Sequence, residues 1–518
     1  MTDLLRHSIY AIILYDTILE VLVPSQRPAD MVDRETEWRQ LSGFAASGEL
    51  TASLGLVWGR RRIGKSFLLQ DLADRMGGFY YHAIRGSSAE ALRDLGEHLG
   101  RHQQTAAPLS LGSWDDAVHA LMKLGSETKA LVVLDEFPYL LEHTPSLDSI
   151  LQRAYAPRSP LRQGTQTRLL LCGSAMSVMG ELLTGSAPLR GRTALALKML
   201  PFDFRTARQL YGIDDYATAL LTYATIGGVP AYACEMVSDD LPSSPDDFGR
   251  WVCERVLSPS MPLFGEVDLL FGEDPTLTRA RKPNLYHSTL AGVALGHHSW
   301  SSLTSFVKTS GATLTSMVRA LESAEFIRGV QDPIRGNRPL YQPADPLLRF
   351  HYAIIRPHQA RLRRHGADLR ALWREMEPTF RSRVLGPCFE SMAMSWVRHF
   401  ANPATLGGSP AHVGRTVLSA SSRAGGGQAQ ELDVVVAADD AAAPDGRTVR
   451  ALGEAKVGER MTMRHVRKLE EARTALGALA SSAKLLLFGS SFDKSVRAAA
   501  SAREDLELID HERLYTGE

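Results

Sequence analysis

Gly59-Arg60-Arg61-Arg62-Ile63-Gly64-Lys65-Ser66 fits the P-loop pattern, two glycines five positions apart followed at once by Lys and Ser. Ahead of it, Leu54-Gly55-Leu56-Val57-Trp58 reads as a short buried strand. Behind it, Phe67-Leu68-Leu69-Gln70-Asp71-Leu72 opens a helix with Leu68, Leu69 and Leu72 on one face. That context predicts a backbone curled so that successive N–H groups face phosphate oxygens, beside the partial positive charge of a helix N-terminus. Lys65 is expected to reach the β- and γ-phosphates, and the Ser66 hydroxyl to ligate Mg²⁺. The nucleotide-binding set is then Gly59, Arg60, Arg61, Arg62, Ile63, Gly64, Lys65, Ser66 and Phe67, with Asp135 joining from downstream.

Moving outward, Ala130-Leu131-Val132-Val133-Leu134-Asp135-Glu136 reads as a buried parallel strand ending in two acids, the Walker B signature. Asp135 is expected to hold magnesium through water, and Glu136 to polarise the attacking water. A further apolar strand, Arg168-Leu169-Leu170-Leu171-Cys172, ends at Gly173-Ser174, where Ser174 can contact the γ-phosphate or the water. Arg190 and Arg192 lie in Pro188-Leu189-Arg190-Gly191-Arg192-Thr193. They are candidates for γ-phosphate sensing or an arginine finger, and a solvated basic loop reads equally well. Arg192 is favoured because Thr193-Ala194-Leu195-Ala196-Leu197 reads as an edge strand.

Bulk composition narrows the rest. A chain of 518 residues has room for three or four domains. Lys plus Arg and Asp plus Glu are 58 each, so any nucleic-acid contact must come from local patches. The four cysteines form no CxxC pair, which suggests no zinc site and suits a reducing cytosol. Residues 9–23 are apolar but interrupted by Asp16 and Glu20, short for a membrane span. They read as a helical extension, with Met31 an alternative start, and a cytoplasmic protein without membrane contact is the expectation.

Trp58 to Ser66, Leu134-Asp135-Glu136-Phe137, Cys172-Gly173-Ser174 and Pro188-Leu189-Arg190-Gly191-Arg192 together resemble the archaeal-type AAA+ ATPases of the STAND-like P-loop assemblage. Ile226-Gly227-Gly228-Val229-Pro230-Ala231-Tyr232 matches a further signature of that family, in its helical lid. The resemblance implies an ATP-binding and ATP-hydrolysing switch with a coupled output domain. It leaves open whether the arginines act within one chain or across a homo-oligomer contact. Residues 1–30 lie outside the family pattern.

The expected order is an ATPase domain over 31–205, a lid over 206–282, a winged helix over 283–355 and a terminal domain over 356–518. The lid is helical, punctuated by Pro242, Pro245, Pro259 and Pro262. In the winged helix, Thr313, Thr315, Ser316 and Arg319 face out from a third helix, and Arg335 and Arg338 sit near Gly336-Asn337 in the wing; DNA contact and a protein dock both fit. Arg361, Arg363, Arg364, Arg370 and Arg374 then make a basic stretch, read as a solvated face or a phosphate contact.

In the terminal domain a helix carrying Glu390 is followed, past Gly425-Gly426-Gly427, by strands through Asp433, through Glu454-Ala455-Lys456 and through Lys484-Leu485-Leu486-Leu487-Phe488. Side chains alternate in a strand, so Glu454 and Lys456 share a side. Asp433 next door can join Glu454 around Mg²⁺, with Glu390 an accessory acid and Lys456 orienting the attacking water. This order resembles the PD-(D/E)xK nuclease fold. The fold class expected is therefore α/β: a P-loop AAA+ sheet with lid, a winged helix-turn-helix, and an α/β restriction-endonuclease-like domain. A nucleotide-dependent regulator of DNA or protein with an inactive nuclease-like domain is the alternative, and a defence component acting on another protein a third.

Overall fold

The computed structural model describes residues 27–28, 31–185, 187–278, 282–336, 339–418, 430–440 and 446–518. The apolar run at 9–23, Asn337, Arg338 and the triple glycine at 425–427 lie outside them. The chain divides into two compact units, one ending at Pro201 and one beginning at Phe202.

The first unit is built on five parallel strands: β1 (Ser53–Trp58), β2 (Phe79–His82), β3 (Ala130–Asp135), β4 (Thr167–Gly173) and β5 (Thr193–Lys198), in the order β2-β3-β4-β1-β5. β1, β3 and β4 are apolar along nearly their whole length because helices cover both faces of a parallel sheet. Their side chains pack with Leu95, Leu99, Trp114 and Leu121 from the helices Ser88–His102 and Trp114–Lys123 into one core. Those helices start where the sequence supplies caps. Ser87 accepts from the Glu90 N–H while the Glu90 carboxylate accepts from the Ser87 N–H, and Ser113 caps the next. The strand order sets the carboxyl ends of β1, β3 and β4 side by side. In open α/β sheets that is where ligands bind.

The second unit begins with helices and places Pro283–Ala294, Trp300–Val307 and Gly311–Ser323 ahead of an antiparallel hairpin, β6 (Ile327–Val330) and β7 (Leu340–Pro343). Of the basic stretch, Arg361 falls on the helix Arg356–Leu362, Arg370 and Arg374 on the helix Leu369–Phe380, and Arg363 and Arg364 in the turn between them. A second sheet follows: β8 (His412–Leu418), β9 (Gln430–Asp439), β10 (Arg447–Met461), β11 (Lys484–Phe492) and β12 (Leu506–Ile509), in the order β12-β11-β10-β9-β8. β8, β9 and β10 run antiparallel, and β10, β11 and β12 parallel. On one face Val466, Leu469 and Ala472 of the helix Met463–Leu476 pack onto Leu432, Leu452, Leu485 and Leu487. On the other, Trp396 of the helix Gly386–His399 meets Phe488 edge-on, ring centres 5.7 Å apart.

The terminal helix His511–Thr516 closes this unit on itself. Tyr515 stacks on Tyr216 at 5.4 Å, and Arg205 Nε donates to Leu514 O at 2.9 Å. The segments on either side of the hairpin thus pack as one unit from Phe202 onward. Among the described residues, no helix is long and apolar enough to cross a membrane.

Candidate active site

The loop after β1 turns back tightly. A Cβ at Gly59 would lie 2.3 Å from Ile63 Cδ1 and 2.5 Å from the Met199 carbonyl oxygen, so only glycine fits. Arg62 (φ 69°) and Gly64 (φ 89°) take left-handed conformations, which recur in anion-binding nests. Arg34, buried just ahead of the helix Glu35–Ala46, braces the loop: its Nη2 donates to Ile63 O at 3.3 Å and to Leu200 O at 2.8 Å.

Lys65 opens the helix Lys65–Arg75 with only 5% of its surface exposed. Its Nζ donates to Gly59 O at 2.8 Å and Arg60 O at 2.9 Å. Burial, the largest influence, pushes its pKa down, while the Glu136 and Asp135 charges pull it back up. An ammonium whose hydrogen bonds go to loop carbonyls can exchange them for phosphate oxygens without breaking an ion pair. Arg60 is buried, Arg61 and Arg62 partly so, and Phe67 is half exposed beyond the loop.

Asp135 ends β3 fully buried. Burial alone would raise its pKa; hydrogen bonds from Cys172, Ser66, Tyr80 and the Glu136 N–H outweigh it and hold the carboxyl below its ordinary value. Tyr80 donates to Oδ2 at 2.6 Å, and His82 Nδ1 lies 3.4 Å from the same oxygen. Ser66 and Asp135, the two residues expected at magnesium, are therefore in contact. Glu136 follows at φ 51°, an uncommon conformation for a non-glycine residue and a local strain. Ser174 Oγ, just past β4, donates to Glu136 Oε1 and Oε2 at 2.9 and 3.0 Å, and Arg61 Nη2 lies 4.0 Å from Oε1.

Arg190 is exposed and donates to Gly185 O at 2.7 Å; Arg192 is partly buried. Both sit in the turns leading into β5. Among the described residues, neither guanidinium hydrogen-bonds to Lys65, Asp135, Glu136 or Ser174. Tyr80, His82, Cys172 and Arg34 belong to this neighbourhood and escaped the sequence reading. The first three had a signal, since residues near the ends of strands flanking the Walker B strand must face it.

The second cluster lies on β9 and β10. Lys456 Nζ is 2.7 Å from Asp433 Oδ2 and 3.1 Å from Glu454 Oε1. The Ala455 N–H also donates to Asp433 Oδ2, at 2.9 Å. Lys468, unanticipated, reaches in from the helix Met463–Leu476 and donates to both Glu454 oxygens at 2.7 and 2.6 Å. Burial would lower the Lys456 pKa, but Asp433 and Glu454 raise it above its usual range. Glu390 is partly buried, with Arg415 Nη1 4.0 Å away. Burial and then the Asp433 charge push its pKa up to about 8. Asp433, Glu454 and Lys456 are thus brought together. Among the described residues, no group of three or more His, Cys, Asp or Glu gathers to hold a metal.

Residues 31–214 match the family model of an ATPase domain predominantly from Archaea. The chain carries an archaeal-type ATPase domain. A protein of Methanocaldococcus jannaschii whose function is uncharacterised is 24% identical to this ATPase over 331 residues, 62% of this chain and 68% of that one. Among solved structures, a Walker-type ATPase of Pyrococcus abyssi aligns with a TM-score of 0.48 at 22% identity, over 64% of this chain and 98% of that one. The ORC2 protein of Aeropyrum pernix, in its ADPNP and ADP complexes, aligns with a TM-score of 0.40 at 16% identity, over 66% and 98%.

Proposed function

We propose that this ATPase is a switch in which the nucleotide held by the first unit governs a nuclease-like module on the sheet β8–β12. One observation carries the reading. Lys65 is buried and, among the described residues, bonded to the loop carbonyls of Gly59 and Arg60, beside Ser66 and Asp135 already in contact. The loop from Gly59 to Phe67 holds the triphosphate, with Lys65 exchanging its carbonyl partners for phosphate oxygens. Ser66 and Asp135 would hold Mg²⁺, which when bound neutralises phosphate charge. Their fit is chemical: a hydroxyl beside a carboxylate kept ionised. Glu136 orients the attacking water once it leaves Ser174, and Ser174 then faces the γ-phosphate. Arg190 or Arg192 serves as the phosphate-sensing cation.

Downstream, residues 283–355 act as a winged helix that docks DNA or a protein. Asp433, Glu454 and Lys456 form the nuclease-like centre, with Glu390 beside it. A Mg²⁺ between Asp433 and Glu454 would compete with the Lys456 ammonium, so the set does not fit the ion as arranged, and no cleavage step is derived through it. That pairing, together with Lys468 on Glu454, favours a second reading: a nucleotide-dependent regulator whose nuclease-like domain is inactive.

The test incubates wild type, Asp433→Ala and Lys65→Ala with Mg²⁺, ATP and linear, circular and single-stranded DNA. The first reading expects cleavage by wild type alone. Uncut DNA in every lane removes the nuclease half and leaves the regulator.

A further inference from the structure

A cleft of about 450 Å³ lies where the hairpin strand β6, the helix Gly386–His399 and the strands β8 and β10 meet, all within the second unit. Arg328 from β6, Arg398 from the helix, Arg447 at the start of β10 and His412 at the start of β8 line it, and none of its lining residues is acidic. It shares no residue with the P-loop or with the Asp433–Glu454 set.

Hydrogen bonds orient the three guanidinium groups, and only Arg447 among them has a carboxylate within ion-pair distance among the described residues. Arg398 Nη2 donates to Val413 O at 2.6 Å, and Arg447 Nη1 to Pro333 O at 2.9 Å. With its carboxamide oxygen turned toward Arg328, Gln342 accepts from Arg328 Nε and Nη2 at 2.6 and 2.9 Å. Among the described residues, no carboxylate lies within ion-pair distance of Arg328 or Arg398. Asp439, exposed at the rim, is 3.9 Å from Arg447 Nε and accepts from His412 Nε2 at 2.9 Å. Partial burial, and after it the Arg328 charge, lower the Arg398 pKa.

A guanidinium carries five N–H donors, and among the described residues Arg398 and Arg447 each spend one on a carbonyl and Arg328 two on Gln342. Like charges gathered in a concave, partly enclosed place repel one another, and an anion entering between them relieves that repulsion. Planar forks match the paired oxygens of a phosphate better than any single point charge, and the volume suits one nucleotide unit. We propose that this cleft binds a phosphate group, carried either by a free nucleotide or by a nucleic-acid backbone.

The test uses the full chain with Lys65→Ala, chosen to weaken phosphate binding at the P-loop. It is titrated with inorganic phosphate, AMP, a short single-stranded DNA and a short duplex, by calorimetry and fluorescence anisotropy. At least one probe is expected to bind one-to-one, and Arg398→Gln or Arg447→Gln to weaken it about tenfold or more, the loss of one charge-assisted contact. Binding of AMP or phosphate assigns a free phosphate as the source; binding of strand or duplex alone assigns the backbone. His412→Glu, at the partly exposed mouth, puts an acid where the anion enters. It decides the matter should an arginine variant lose its melting transition. Failure of all four probes, or unchanged affinity in both Arg398→Gln and His412→Glu, overturns the proposal.

Discussion

Lys65, buried at the start of the helix Lys65–Arg75, and Lys456, partly buried within β10, differ in their partners. Lys65 faces two backbone carbonyls, and burial lowers its pKa. Lys456 sits between two carboxylates, and they raise its pKa. Among the described residues, no carboxylate lies within ion-pair distance of the first ammonium. It is poised for an anion brought from outside. The second has its counter-charges built in, and Lys468 completes the balance on Glu454. A carboxylate already held by a lysine is a poorer metal ligand, because an incoming cation must displace the ammonium from the same oxygens and shed its own water.

The sharpest way to break this comparison is at the glutamate beside the open cradle. Glu136→Gln keeps the shape and the Ser174 contact but cannot take a proton or orient water as an anion. ATP turnover is expected to fall about 10²–10⁴-fold with ATP binding retained, measured by phosphate release and by calorimetry. Equal turnover would move the base elsewhere. Gly59→Ala comes next. The close Met199 carbonyl cannot yield cheaply, so a loss of about 1–3 kcal/mol in urea unfolding is expected, with weakened ATP binding.

At the closed cluster, Glu454→Ala strands two lysine heads that each keep about a third of their surface in water. Solvent screening holds the expected cost to about 2 kcal/mol, read from the urea midpoint. A cost near zero would mean the pairs contribute nothing. Lys456→Ala should in turn leave Asp433 and Glu454 facing each other, so that Mg²⁺ raises the melting temperature of the variant more than that of wild type.

The smallest effect concerns pH. The Glu390 carboxyl is raised from 4.5 to about 8 by burial and the Asp433 charge, so between those values the folded chain holds a proton that the unfolded chain has released. Stability from this group is present below about 4.5 and declines as pH rises through about 8. Glu390→Gln should flatten that decline in melting temperature between pH 5 and pH 8.

The cradle was legible because its parts are contiguous or end consecutive apolar strands: eight residues for the loop, two acids for β3, a serine after β4. Parallel strands buried on both faces announce themselves in composition. Tyr80 and Lys468 were not legible because their contacts depend on which strands and helices pack together. β8 was missed for a different reason. Its buried positions include Arg415 and Thr416, and Thr416 Oγ1 donates to Asp332 Oδ2 at 2.6 Å, so a polar pairing replaces the apolar alternation that would have marked it. The chain divides between Pro201 and Phe202, and the packing of the segments beyond Phe202 rests on contacts between distant residues such as Tyr216 and Tyr515, which no local pattern reveals.

The central claim is that the two lysines differ in what they wait for. Calorimetric titration of ATP with Mg²⁺ into wild type, Lys65→Ala and Lys456→Ala tests it directly. Binding should survive in wild type and Lys456→Ala and be lost or weakened at least about a hundredfold in Lys65→Ala, consistent with removal of a charge-assisted phosphate contact from a buried cradle. ATP affinity in Lys65→Ala equal to that of wild type would contradict it.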